Sequence, residues 1–217
     1  LCTRLASAKT VAVIGGGFIG LEIAAAVAAA GQKVAVVEAA PQILGRSLTP
    51  SLAARVRTVH EAGGLNIISN TAVDAIRTDG ISTSDGFIEA DLVICGAGSV
   101  ARSELAEKAG LTTGNGIHVN RVLETSVPGI YAIGDVACFE TSTGGYRRYE
   151  SVQNANDQAR TLARTLCGER SPYNALPWFW SDQGSIKLQM AGDSFGASKV
   201  VAVDGEKAPQ AAAFCFN

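Results

Sequence analysis

A glycine-rich turn set between a strand and a helix near the start of the chain limits its fold more than any other feature. Val11-Ala12-Val13-Ile14 is a short apolar run of the kind that forms a buried strand. Gly15, Gly17 and Gly20 follow in the pattern G-x-G-x-x-G, with Phe18 and Ile19 between the last two. The Ala-rich residues 21–30 then carry a helical signal up to Gly31. A second strand, Lys33–Val37, ends at Glu38, 18 residues beyond Gly20. Each part has a physical task in holding a dinucleotide. Gly15 permits the tight turn, Gly17 has no side chain to keep a pyrophosphate off the backbone, and Gly20 lets the helix pack close to the strand. The helix start offers N–H groups and the positive end of its dipole to phosphates. Glu38 has the carboxylate to accept hydrogen bonds from a ribose diol. The glycines alone are weak evidence. Strand, turn, helix, second strand and terminal acid in order are strong evidence.

After Glu38, Pro41 breaks the pattern. Thr49-Pro50 opens a helix through about residue 61, with Pro at the favoured first helical position and Gly63-Gly64 closing it. Residues 65–69 predict a third parallel strand. Residues 71–90 turn at Asp79-Gly80 and Asp85-Gly86 and predict a β-meander. Residues 91–95 return as a buried strand and meet Gly96-Ala97-Gly98, so 1–98 reads as one nucleotide-binding domain. A second segment, 99–175, holds a short helix at 104–109, a short strand at 116–120 and a strand at 130–133. Its long helix, 151–167, has apolar residues at 155, 159, 162, 163 and 166. From 176 to 217 the chain turns β-rich, with antiparallel strands expected at 186–190 and 199–203 and another strand-like run at 213–216.

The 217 residues include 47% hydrophobic and 18% charged side chains and 24 glycines, which suits a globular α/β protein and argues against disorder. A formal charge of −2 gives no reason to expect a nucleic-acid partner. No apolar run approaches bilayer length, so no membrane role is expected. The five cysteines, at 2, 95, 138, 167 and 215, form no C-x-x-C or other close pair. Cys95 and Cys167 read as small buried hydrophobes, and the thiol pattern suits a reducing cytoplasm. No metal site is expected. His60 and His118 stand isolated in sequence and read as structural.

The second informative stretch is Gly129-Ile130-Tyr131-Ala132-Ile133-Gly134-Asp135-Val136-Ala137. A strand ending in Gly134-Asp135 places a carboxylate at the C-terminal edge of a sheet, where ligands of open α/β sheets bind. Gly134 admits a cofactor there and Asp135 accepts hydrogen bonds from its hydroxyls. An ordinary strand-end turn explains the same residues equally well.

Taken together, GGGFIGLE (15–22), VVE (36–38), ADLVICGAG (90–98), GIYAIGDVA (129–137), ESVQNA (150–155) and WSDQ (180–183) resemble the two-dinucleotide flavoprotein reductases. Within them, the last two motifs resemble the branch of FAD- and NAD-dependent ferredoxin reductases that serve Rieske-type oxygenases and cytochromes P450. The resemblance runs over essentially the whole chain. It implies an α/β architecture in which a Rossmann-like NAD domain is inserted in an FAD domain and followed by a small β-rich C-terminal domain. It also implies site residues. Gly15, Gly17 and Gly20 would bind the NAD pyrophosphate with Phe18 and Ile19, and Glu38 the adenosine ribose. Glu22 would lie towards the nicotinamide end, unless it only complements the helix dipole. Gly96 and Gly98 would let the nicotinamide half approach the backbone. Gly134 and Asp135 would meet the FAD ribityl chain, and Val152 and Gln153 would offer backbone N–H groups to the flavin pyrimidine edge. Trp180 would lie near the isoalloxazine, unless it is an ordinary buried aromatic.

The resemblance implies hydride transfer from NADH to FAD and single-electron transfer to a ferredoxin-type iron–sulfur partner. No acid–base residue is nominated, because the cofactors carry the chemistry. Two departures stand out. The branch has a further N-terminal GxGxxG that holds the FAD adenosine diphosphate, whereas this chain has one such turn and no initiator Met. Its β-rich end also stops soon after a strand. The chain is therefore expected to be a fragment with the NAD site whole and the FAD site half present. Two other functions stay open: a flavin-dependent disulfide reductase or NADH oxidase, and a nucleotide-sensing flavoprotein module without turnover.

Overall fold

The computed structural model describes residues 2–141, 144–194, 197–205 and 210–216. After a one-turn helix, α1 (Cys2–Leu5), come β1 (Thr10–Ile14), α2 (Phe18–Ala29), β2 (Lys33–Val37), α3 (Pro50–Ala62) and β3 (Leu65–Ile68). Three antiparallel strands follow, β4 (Val73–Arg77), β5 (Gly80–Thr83) and β6 (Gly86–Glu89), and then β7 (Leu92–Cys95). Strands β3, β2, β1 and β7 lie side by side in that order, all parallel. Register is set by Val11–Ile14, which pairs with Val34–Val37 on one side and Leu92–Cys95 on the other.

Alternation along β1 divides the core of this layer. Ala12 points to a cluster formed with Val37, Ile81 and Ala90, so the meander covers that face of the sheet. Val13 points the other way, towards α2, where a Cβ added to Gly20 would lie 3.5 Å from its Cγ1. Two right-handed β-α-β crossovers running in the same direction put α3 beside α2 on that face. The Asp91 carboxylate accepts from the Lys9 and Thr10 amides at 2.8 and 2.9 Å, bonds that hold it below the usual carboxylate range.

Two compact units divide the chain. The first runs up to Gly98 and includes Trp180–Leu188 and the chain from Ser194 onward; the second is Ser99–Phe179 with Gln189–Asp193. The second unit contains α4 (Glu104–Lys108), β8 (Thr113–Gly114), β9 (Gly116–Val119), a 3-10 turn at Gly134–Val136, β10 (Ala137–Glu140), β11 (Tyr146–Arg147) and α5 (Val152–Leu166). Its sheet has the order β11-β10-β9-β8. Phe139, Tyr173, Leu123 and Val119 form its core, with the Tyr173 ring edge-on to Phe139 at 5.1 Å. Burial pushes the Tyr173 hydroxyl up to about 12. Two hairpins complete the β-rich end, β12 (Trp178–Gln183) with β13 (Ile186–Ala191), and β14 (Lys199–Asp204) with β15 (Ala211–Phe216).

Four expectations need correction. No strand forms at 130–133; Tyr131 makes one bridge to Glu124, because its neighbours Leu123–Thr125 are themselves bent, with Leu123 at φ +66°. The buried face of α5 is amide-lined. Asn154 and Gln158 are buried, whereas Ala159, Ala163 and Leu166 are exposed. The Tyr149 carbonyl and the Tyr173 hydroxyl satisfy the Asn154 amide, and Gly134 N–H satisfies Gln158 Oε1, whereas Gln158 Nε2 is buried with no partner among the described residues. Cys95 is exposed because β7 ends there at the open edge of the sheet, and Cys167 is exposed as the C-cap of α5. Cys138 is the buried thiol of the described set; the Cys2 side chain lies outside the described residues. Asn217, where the chain was expected to stop short, lies outside them too.

Candidate nucleotide-binding site

In the first unit the site begins where β1 ends. Gly15 N–H donates to the Val37 carbonyl at 2.8 Å, which extends the ladder by one residue before the chain turns. Gly15 has φ +100°, and a Cβ there would fall 2.6 Å from the Gly96 carbonyl oxygen, so glycine is required by conformation and by space. At Gly20 an added Cβ would lie 2.0 Å from the Gly15 carbonyl oxygen, which is how α2 seats directly on the turn. Gly17 differs: nothing lies within 4 Å of the added Cβ. It is the N-cap of α2, and no side chain caps the helix. The positive end of the helix dipole therefore has room for an anionic group.

Glu38 closes the opposite side. Its Oε2 accepts from the Gly16 amide at 2.7 Å and its Oε1 from the Ala40 amide at 2.8 Å. The Gly16 carbonyl accepts from Leu44 N–H at 2.9 Å, so the loop after β2 is bonded to the turn as well. Each carboxylate oxygen keeps a second lone-pair direction. Glu38 can thus order the turn and still accept from a diol.

Gly96 and Gly98 follow β7. A Cβ on Gly96 would lie 3.2 Å from the Gly20 Cα, so Gly96 fits the seam between β7 and the start of α2. Gly98, at φ +92°, lies beside Arg46, whose Nη2 would be 3.5 Å from an added Cβ. Across the sheet order β2-β1-β7, Arg46 reaches the flank opposite Glu38. Nothing in the run of loop residues after Pro41 shows which flank Arg46 takes.

One turn into α2, Glu22 accepts a hydrogen bond from Ser181 Oγ at 2.5 Å. Trp180 is 43% exposed, which is not the burial of an ordinary core aromatic. Two polar residues that no site expectation named are buried in this unit, His60 and Gln183 (the last residue of the WSDQ stretch), and they bond each other at 2.8 Å. Burial pushes the His60 imidazole below its usual value, against the opposing pull of the Gln183 bond.

The remaining nominated residues belong to the second unit. Gly134 has φ +74° and donates its N–H to Gln158 Oε1 at 2.7 Å, so the Gly134-Asp135 turn packs on the first turns of α5. This brings Asp135 to the helix end that carries Val152 and Gln153. Ser151 caps that end by accepting from Asn154 N–H at 3.2 Å. Asp135 is exposed and lines a largely apolar cleft of about 520 Å³ with Arg148 and Glu150. Gln153 is tied to Asp157 through its own amide at 2.7 Å, which leaves its backbone as its group at the helix start. An acceptor carboxylate beside a helix N-terminus is a donor–acceptor set that suits a polyhydroxyl chain ending in an electron-rich ring. His118 stacks on Tyr146 at 4.3 Å.

Residues 2–159 match the family described as pyridine nucleotide-disulphide oxidoreductase. The chain belongs to that family. Residues 178–217 match the family described as reductase C-terminal. Rhodocoxin reductase from Rhodococcus erythropolis is 41% identical over 223 residues, covering 100% of this chain and 52% of the relative. The crystal structure of the ferredoxin reductase for the CYP199A2 system from Rhodopseudomonas palustris superposes with a TM-score of 0.93 at 43% identity, covering 99% of this chain and 55% of the other. Putidaredoxin reductase, in its covalent complex with putidaredoxin, gives 0.90 at 37% identity, covering 96% and 52%. The chain spans about half the length of the curated relatives it matches.

Proposed function

We propose that this oxidoreductase is an NADH- and FAD-dependent reductase of a ferredoxin-type iron–sulfur protein, with residues 1–98 serving NAD, 99–175 serving FAD and 176–217 as the reductase C-terminal domain. The observation that carries the reading is the uncapped, open start of α2 over Gly17 with Glu38 bonded across the turn from it. Gly15, Gly17, Phe18, Ile19 and Gly20 would take the pyrophosphate, Glu38 the adenosine ribose, and Gly96 and Gly98 the nicotinamide half. In the second unit, Gly134, Asp135, Val152 and Gln153 would hold the ribityl chain and ring edge of FAD. Trp180 keeps the exposure that stacking against a cofactor ring needs. When bound, NADH would supply one hydride to FAD, and the two electrons it carries would leave the flavin singly. The chain's own residues bind and orient. None is asked to move a proton.

Support for the electron acceptor comes from the names of relatives, which include a p-cumate 2,3-dioxygenase ferredoxin–NAD(+) reductase component and putidaredoxin reductase. Among the described residues no helix is long and apolar enough to cross a membrane, and no cluster of His, Cys, Asp and Glu fits a metal. The unpaired thiols among the described residues suit the cytoplasm. The test is anaerobic addition of NADH to the protein held in saturating FAD, followed by a [2Fe–2S] ferredoxin or by oxidised glutathione and coenzyme A disulfide. Bleaching of the flavin and its reoxidation by ferredoxin alone is the expected result. Reoxidation by the disulfides alone would replace this reading with disulfide reduction.

A further inference from the structure

A line of four polar side chains crosses the helical face of the first unit, and no cofactor expectation uses three of them. Gln183 fixes its polarity. Its Nε2 donates to Ser181 Oγ at 3.0 Å, so its Oε1 is the atom that meets His60 Nε2 at 2.8 Å. His60 must then carry its hydrogen on Nε2. Ser181 spends its own hydrogen on Glu22 Oε1 at 2.5 Å. Every donor in the line His60–Gln183–Ser181–Glu22 points towards the carboxylate.

The three upstream members are almost fully enclosed: Ser181 and Gln183 are 1% exposed and His60 is 3% exposed. Buried hydrogen bonds aligned in one direction polarise one another, and a chain with every link made has one arrangement rather than several. Glu22 is the only member that is not buried. Its Oε1 is taken by Ser181, and its Oε2 accepts from none of the described residues. The line therefore presents one free, acceptor-only oxygen at a fixed position on α2, one turn in from the open start over Gly17.

We propose that His60, Gln183 and Ser181 are positioning residues that lock Glu22 in a single orientation, so that its free oxygen selects an N–H donor on the nicotinamide half of the coenzyme. This rests on the NADH reading above. With Glu38 beside the adenosine end and the helix start beneath the pyrophosphate, the coenzyme donor left for an acceptor-only oxygen further along is the carboxamide N–H₂. A flexible Glu22 would pay rotamer entropy to make that bond, whereas a locked one does not.

The test measures dissociation constants, with no turnover needed, for NADH, its 3-acetylpyridine analogue (a methyl group replaces the carboxamide N–H₂) and ADP-ribose. The proteins are the unaltered chain, Ser181→Ala, His60→Leu and His60→Gln, the last of which keeps an N–H donor at the same reach. In the unaltered chain NADH is expected to bind about tenfold tighter than the analogue, the size of one charge-assisted hydrogen bond. Ser181→Ala and His60→Leu should reduce that preference to about twofold or less, leave ADP-ribose unchanged, and His60→Gln should restore it. A preference that survives both substitutions overturns the relay. So does parallel weakening of NADH and ADP-ribose, which would mean general damage to the fold. If the unaltered chain binds neither NADH nor ADP-ribose, the coenzyme reading itself fails, and the relay with it.

Discussion

Glu38 and Gly16 are joined across the turn by a 2.7 Å hydrogen bond from the glycine amide to Oε2. With the second bond from Ala40, the carboxylate is fixed at the edge of β2. A phosphate on the adenosine 2′-oxygen would meet this fixed negative charge, and Arg46, the nearby cation, lies on the other flank beside Gly98. NADH should therefore bind at least about tenfold tighter than NADPH, a difference near 1.4 kcal/mol. Glu38→Gln should narrow the ratio while weakening both, because the amide sets an N–H₂ against backbone donors. Titration of the two coenzymes checks this, and equal affinities in the unaltered chain would defeat it.

Gly17 and Gly20 separate binding from folding. Open space surrounds the position of a Cβ at Gly17, so Gly17→Ala should leave the melting temperature within about a degree while removing most NADH affinity, since the methyl occupies the approach of the pyrophosphate. At Gly20 the same methyl collides with the Gly15 carbonyl oxygen at 2.0 Å. Gly20→Ala should destabilise by several kcal/mol, roughly the cost of forced overpacking. If Gly17→Ala binds NADH normally, the pyrophosphate does not lie over this turn.

Much of the first unit was legible because its signals are local. A four-residue apolar run, glycines at fixed offsets and Pro50 at a helix start each report on their own neighbours, and β1, α2, β2 and α3 follow from them. The strand expected at 130–133 failed for the opposite reason: a strand needs a partner of matching shape, and the bent segment around Leu123 is not one. On α5, helical period was read from apolar residues, whereas burial went to Asn154 and Gln158, which share one face at i and i+4 but carry no hydrophobic signal. The same blindness hid His60 and Gln183, 123 residues apart in sequence and 2.8 Å apart in the fold. Only the tertiary structure shows that polar residues have found each other.

His60 should make stability acid-sensitive in a defined window. Burial lowers its pKa below the usual 6.5, so the folded state holds it neutral while the unfolded state takes up a proton. Its contribution is fully present above about pH 6.5 and is lost as pH falls through the lower, folded value. Melting temperatures of the chain and of His60→Gln, measured from pH 7.5 down to 5, should run parallel above 6.5 and diverge below it, with the unaltered chain losing more. Parallel curves throughout would show that folding does not lower the His60 pKa, and this prediction would fail.

Thiol chemistry should follow exposure and leave coenzyme binding untouched. Cys95 and Cys167 are exposed, Cys138 is buried, and burial raises the Cys138 thiol despite the pull of Arg148 and Arg147. A thiolate is the reactive form. Ellman's reagent should therefore modify Cys95 and Cys167 rapidly in the native chain, and Cys138 only on unfolding. With FAD supplied in excess, the protein with all five cysteines replaced by Ser should still pass electrons from NADH to ferredoxin as well as the unaltered protein does. A well-folded variant that loses this transfer would point to a redox-active thiol and to disulfide reduction.

The sharpest division is expected between the two cofactors in the 217-residue chain itself. One G-x-G-x-x-G turn is present, and its amides, with Glu38, belong to the NAD assignment. For FAD the second unit offers the Asp135 carboxylate and the start of α5, where Ser151 already bonds the Asn154 amide. A dinucleotide gains much of its hold from N–H bonds to pyrophosphate oxygens, each charge-assisted bond contributing about 1.5–3 kcal/mol. Two or three such bonds amount to a difference of several orders of magnitude in affinity. The purified chain should be colourless, or lose its yellow colour on dialysis, while NADH fluorescence still titrates to saturation. Flavin absorbance at one equivalent after extensive dialysis would mean that the second unit grips FAD through groups other than Asp135 and the α5 start.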